Sequence, residues 1–169
     1  MQALGIDIGG SGIKGAPVDI KTGKLLAERI RIPTPNGAKP KAVSLVVAEI
    51  AQAFNWKKQI GVGFPAPIKH GVAMMAANVS EKWVGVNVDE LISSVTGCKC
   101  HVGNDADVAG MAEMAFGAGK GEHGTVIMIT LGTGIGSAIF FNGHLIPNTE
   151  FGHMQMDGKD AEQIGRASC

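Results

Sequence analysis

Residues Ile6 to Ala16 read IDIGGSGIKGA, and within them Gly10, Gly12 and Gly15 stand at the GxGxxG spacing of a dinucleotide-binding turn. That turn requires a helix directly after its glycines. Here Ile13, Gly15, Val18 and Ile20 follow in a strand-like pattern, then the turn signal Lys21-Thr22-Gly23-Lys24 and a second apolar run from Leu25 to Ile32. The order is strand, hairpin, strand. Glu28 stands near the place of a ribose-binding acid, but without the helix the glycines are read as a loop between two antiparallel strands. The apolar run Ala3 to Ile8 is the buried strand that enters this loop.

Downstream, the Pro/Gly/Asn-rich loop Thr34 to Pro40 precedes Val43, Val46, Val47, Ile50, Ala51 and Phe54, which recur at helical spacing and predict an amphipathic, core-packing helix. Strands are expected at Ile60 to Phe64 and at Val72 to Ala76. Asn87 or Asp89 is expected to cap a helix that Gly97 ends. A strand from Cys98 to Val102 then runs into Gly103-Asn104-Asp105, where a helix begins with Val108, Met111, Ala112 and Ala115 on its core face. Thr125 to Leu131 is a β-branched run ending in glycine-rich 132–136. Ser137 to Phe141 follows, and Asn142-Gly143 is a strong hairpin signal returning through Leu145 and Ile146. Strand, glycine loop and hairpin thus occur twice, an arrangement that fits two lobes on either side of a ligand cleft.

With 15 Lys+Arg against 15 Asp+Glu in 169 residues, the charge balance argues for neither nucleic acid nor an anionic membrane. There is no charged leader before an apolar segment and no apolar run of membrane-spanning length, so a soluble, cytoplasmic protein is expected. The three cysteines are expected to be reduced thiols.

The two glycine turns, each with a hydroxyl residue (Ser11 and Thr133), offer backbone N–H groups and hydroxyls that can wrap a phosphate. Lys14 can act as a point charge on a phosphate oxygen, and Asp7 can hold Mg²⁺ directly or through water. Asp105 either caps its helix or serves as a general base toward an attacking hydroxyl. Asp107 is read as a solvated first-turn acid. Asn148, Thr149, Glu150 and His153, with Glu162 beyond, combine donors and acceptors suited to the hydroxyls of a sugar ring.

Six ordered motifs, DIGGSGIKG at 7–15, GVGFPAPI at 61–68, AANVSEKW at 76–83, GNDAD at 103–107, TLGTGIGSA at 130–138 and PNTEFGHM at 147–154, span the chain. Together they resemble the ROK-family sugar kinases, and within them the polyphosphate glucokinase branch. The resemblance implies an actin-like (ribonuclease-H-like) α/β fold of two lobes, here residues 1–103 and an incomplete second lobe at 104–169. It implies transfer of a phosphoryl group to glucose from polyphosphate or ATP with Mg²⁺. The first phosphate motif would comprise Asp7, Gly9, Gly10, Ser11, Gly12 and Lys14, and the second Gly132, Thr133, Gly134 and Gly136. Asp105 would be the catalytic base, and Asn78, Asn104, Asp105, Glu150, His153 and Glu162 the sugar ligands.

Two departures from the family follow. Its cysteine-rich zinc motif is missing after Gly152-His153, so no structural zinc is expected. The sequence stops where relatives continue into further helices, so Ile127, Ile129, Ile139 and Phe141 are expected to form an uncovered apolar face; the chain is then expected either to associate through it, as a dimer, or to be a fragment of a longer protein, and to be weakly active at best and nearly blind to adenine. A non-catalytic sugar or phosphate sensor is the alternative to a kinase.

Overall fold

The computed structural model describes residues 1–76, 79–131, 134–156 and 158–161, Met156 by its backbone alone. The chain divides into two compact units, Met1–Asp105 and Ala106–Cys169.

The first unit is a six-stranded sheet with two helices. Strand β1 (Gln2–Ile8) alternates, with Leu4, Ile6 and Ile8 buried and Asp7 on the opposite, open face. It pairs antiparallel with β2 (Gly12–Asp19) over its whole length, so the glycine stretch is a hairpin turn, as its alternation predicts. The Leu25 to Ile32 run is two strands rather than one: β3 (Lys24–Leu25) and β4 (Ile30–Pro33), both on the outer edge of β2. Val18 faces Leu25 and Gly15 faces Ile30, so Ala16 and Pro17 oppose four residues, 26–29. Pro17 accepts from Leu26 N at 2.8 Å but has no N–H to return, and the ladder bulges there.

Helix α1 (Pro40–Ala53) starts with proline at its first turn, where no N–H is needed, and buries Val43, Val47, Ile50 and Ala51. Strand β5 (Ile60–Phe64) lies parallel to β1. Of the expected Val72 to Ala76 strand only β7 (Val72–Ala73) forms, paired with β6 (Ile68–Lys69) about His70 and Gly71 at φ 51° and 80°. A 3₁₀ turn, Glu81–Trp83, leads to α2 (Val88–Thr96). Asn87 caps α2 by accepting from Glu90 N, and Gly97 ends it at φ 68°. Asp89, the other candidate cap, instead accepts from Val102 N at 2.6 Å. Strand β8 (Cys100–Asn104) is parallel to β5, and Cys98 lies before it; both cysteines are buried free thiols. Burial and the nearby Asp89 push the Cys100 thiol up to about 12, so it stays protonated.

In the second unit α3 (Asp105–Phe116) lies on the antiparallel strands β9 (Thr125–Leu131), β10 (Ile135–Phe141) and β11 (His144–Ile146). The β10–β11 turn is Asn142-Gly143 at φ 48° and 79°, the doubly left-handed geometry that this dipeptide favours. The core face of α3 differs from the one expected. Ala106, Asp107 and Gly110 are buried, whereas Met111 is exposed. The reason is close approach: a Cβ at Gly110 would lie 2.7 Å from Ala138 Cβ and 2.8 Å from the Phe140 ring. Small residues let the helix sit on the sheet, and the large apolar ones point away. On the sheet's other face Ile127, Ile129, Leu131 and Phe141 are exposed, Ile127 at 54% and Leu131 at 82%, while Ile139 is half-buried. After a second 3₁₀ turn, Phe151–His153, the hairpin strands β12 (Gln155–Met156) and β13 (Lys159–Asp160) follow.

Candidate active site

In the first unit the carboxyl ends of the parallel strands β1, β5 and β8 meet at one edge, with Asp7 level with Gly63 and Gly63 with Gly103. Such an edge is where open α/β sheets hold ligands. Asp7 ends β1 there, Asn104 ends β8 and is buried, and Asp105 is the first residue of α3. Lys14 lies opposite Asp7 across the hairpin and its Nζ is 3.0 Å from Asp7 Oδ2. The Asp7 side chain is 52% exposed and that of Lys14 34%, so the ion pair is open to solvent and contributes little to stability.

The turn between them is tightly built. Gly9 N donates to Gly12 O at 3.1 Å, and a Cβ at Gly9 would come 3.0 Å from that same oxygen. Two residues that the local sequence pattern does not single out hold its carbonyls: Thr34 Oγ1 donates to Gly9 O at 2.5 Å, and Arg31 Nη2 to Ser11 O at 3.1 Å. Beside Gly10 opens a cavity of about 360 Å³ lined by Thr34, Pro35, Asn36, Gly37, Ala38, Val79 and Ser80.

In the second unit Gly136 sits in β10, where a Cβ would lie 2.4 Å from Thr130 Oγ1 and 3.1 Å from Ala106 Cβ. Glycine there lets β10 approach both neighbours. Gly134 lies in the bend before β10. The segment 148–153 is fastened to β10: Ser137 Oγ donates to Thr149 O and accepts from Phe151 N, and Thr149 Oγ1 donates to Ser137 O. Glu150 precedes the 3₁₀ turn, and His153 Nδ1 lies 3.6 Å from Asp160 Oδ2, a partner not foreseen from sequence. Asn78, Gly132, Thr133 and Glu162 lie outside the described residues.

Asp107 is not the solvated acid its position suggests. It is 4% exposed, and its Oδ2 accepts from Asn148 N at 2.8 Å, which ties the first turn of α3 to the 148–153 segment. Burial raises its carboxyl above the ordinary 3.8, partly offset by the Asn148 hydrogen bond. The folded state therefore holds this proton more tightly than the unfolded chain, so the Asp107 contribution makes stability fall as pH rises from 3.8 through the folded value. Asp107→Asn keeps an acceptor for Asn148 N–H and cannot ionise. It is expected to flatten that slope and to be at least as stable as the parent near neutral pH. Denaturant melts across the acid range check this, and an unchanged slope in the variant would contradict it.

Residues 3–169 match the model of the ROK family. The chain belongs to the ROK family. A polyphosphate glucokinase from Mycobacterium tuberculosis is 48% identical to it over 168 residues, which are 99% of this chain and 63% of that relative. An inorganic polyphosphate/ATP-glucomannokinase from Arthrobacter sp. strain KM has a crystal structure similar at TM-score 0.92 and 49% identity, over 96% of this chain and 67% of that one. A ROK glucokinase from Streptomyces griseus, crystallised with glucose and AMPPNP, is similar at TM-score 0.81 and 27% identity, over 92% and 51%. The fold is thus the actin-like α/β fold of ROK sugar kinases, as the motifs imply. The chain spans 63% of the length of its mycobacterial ROK relative.

Proposed function

We propose that this ROK chain belongs to a glucokinase that makes glucose 6-phosphate, with inorganic polyphosphate and also ATP as phosphoryl donors. The observation that carries this reading is the Asp7–Lys14 pair on a glycine hairpin, at the same sheet edge where Asn104 and Asp105 end β8 and begin α3. Support also comes from the names of the mycobacterial and Arthrobacter relatives.

In this reading the backbone of Gly9, Gly10, Ser11 and Gly12, with Lys14, grips the donor phosphates, and Gly132, Thr133, Gly134 and Gly136 form the second grip. Asn78, Asn104, Glu150, His153 and Glu162 bind the sugar hydroxyls. Asp105 orients the attacking hydroxyl and takes its proton. Phosphoryl transfer asks the protein mainly for position and charge compensation. Among the described residues no group of three or more His, Cys, Asp and Glu could hold a metal ion. A single exposed carboxylate, Asp7, with donor oxygens and water completing the shell, is nonetheless a donor set that Mg²⁺ accepts. Mg²⁺ bound there would neutralise charge on the donor phosphates.

Lys14→Ala is the test. It is expected to weaken donor binding by about tenfold or more, as loss of a charge-assisted contact does, with glucose affinity unchanged. Separate titrations with donor and with glucose read the two. Equal loss of both would point to a structural role for the hairpin and against this reading.

A further inference from the structure

The peptide between Gly9 and Gly10 has glycine on both sides, which leaves its plane freer to rotate than any other in the turn. Two side chains from the end of one strand oppose that freedom. Pro33 lies opposite Gly12 in the β2–β4 register, so β4 leaves the sheet beside the turn and its next residue is Thr34. Thr34 Oγ1 donates to Gly9 O at 2.5 Å, and Arg31 Nη2, from two residues before Pro33, donates to Ser11 O at 3.1 Å.

Those two bonds fix the direction of N–H groups. The carbonyl and the N–H of a planar trans peptide point opposite ways, and the described residues contain no cis peptide bond. With Gly9 O turned to Thr34, Gly10 N–H is turned away from it; with Ser11 O turned to Arg31, Gly12 N–H is turned away from the guanidinium. Gly10 N–H has no hydrogen-bond partner among the described residues. It is a donor left for a ligand.

A donor already aimed at its place costs no reorganisation when an anion arrives. The Thr34 hydroxyl is itself committed to Gly9 O, so it acts through the turn. We propose that Thr34 is a positioning residue: by holding the Gly9 carbonyl, its hydroxyl presents Gly10 N–H to a phosphate oxygen of the phosphoryl donor. This deepens the kinase reading and rests on the phosphate-binding role proposed there for the Gly9–Gly12 turn. The effect falls on the phosphate groups that polyphosphate and ATP share, and is the same for either.

The test is binding of tripolyphosphate and of glucose by the chain, read by calorimetry, with ¹H–¹⁵N spectra following each amide of the turn. Thr34→Val, which keeps the shape and loses the hydroxyl, is expected to weaken tripolyphosphate about tenfold, the worth of one hydrogen bond to a charged group, and to leave glucose affinity as it was. Thr34→Ser should recover nearly all of the loss. Thr34→Ala, which removes the hydroxyl and adds no bulk, should behave as the valine variant does. Tripolyphosphate should move the Gly10 amide proton of the parent downfield; in Thr34→Val that shift should shrink, while the Gly12 shift, set by Arg31, persists. Undiminished tripolyphosphate affinity in Thr34→Val, or no rescue in Thr34→Ser, would overturn the positioning role and spare the kinase reading. A parallel loss of glucose affinity would mark Thr34 as a general support of the fold and overturn that role as well. A parent chain that binds glucose but no tripolyphosphate would instead remove the phosphate-binding role of the turn, and this proposal with it.

Discussion

Asp105→Asn is expected to lower glucose phosphorylation by a factor of about 10² to 10⁴ while leaving folding and glucose binding nearly unchanged. That is the usual worth of a positioned general base. Asparagine is isosteric and keeps an acceptor for a sugar hydroxyl, so affinity survives, but it cannot take the proton as the hydroxyl attacks. Position supports the assignment. Asp105 follows directly on β8, whose carboxyl end shares an edge with the Asp7 end of β1, and it begins the helix that carries the buried Asp107. Turnover and glucose Kd measured on the same variant check it. Near-normal turnover would leave Asp105 only the role of opening the helix.

The second large effect is on stability. Trp83→Ala is expected to cost about 3–5 kcal/mol, the range for deleting a buried aromatic. Trp83 is fully buried, its ring meets Phe64 edge-on with centroids 4.8 Å apart, and its Nε1 donates to Ala38 O at 2.8 Å. Alanine would leave both a cavity and a buried carbonyl without its donor. That carbonyl belongs to the loop that lines the cavity beside Gly10, so the loop should loosen as well. Trp83→Phe separates packing from hydrogen bonding: it fills most of the space but loses the hydrogen bond, and should cost clearly less. Chemical denaturation of both variants reads the difference. Equal costs would show that the hydrogen bond, not the packing of the ring, dominates.

Much of this fold is legible from local pattern. The missing helix after Gly15 rules against a dinucleotide turn, and β2 pairs along all of β1. Asn142-Gly143 and Gly97 can be read because their left-handed backbone is a local demand. What escapes such reading depends on partners far away in the chain. Asp107 reads as solvated because an acid in a first turn usually is; its partner Asn148 is 41 residues on. Arg31 and Thr34 reach the glycine turn from 20 and 25 residues away, and nothing in their own neighbourhood marks them. The core face of α3 differs from its periodicity because that pattern weighs large apolar residues, whereas the contact is made by Ala106 and Gly110, which fit through their lack of bulk. The break between β3 and β4 follows from a missing N–H on Pro17 in the facing strand.

Whether the chain transfers a phosphoryl group to glucose can be read by ³¹P NMR of the products after incubation with glucose, Mg²⁺ and either polyphosphate or ATP. Glucose 6-phosphate is expected from polyphosphate, and its formation should slow by about 10²- to 10⁴-fold in Asp105→Asn. Binding of glucose and phosphate with no phosphorylated sugar from either donor would contradict the kinase assignment and mark the chain as a sensor of its ligands.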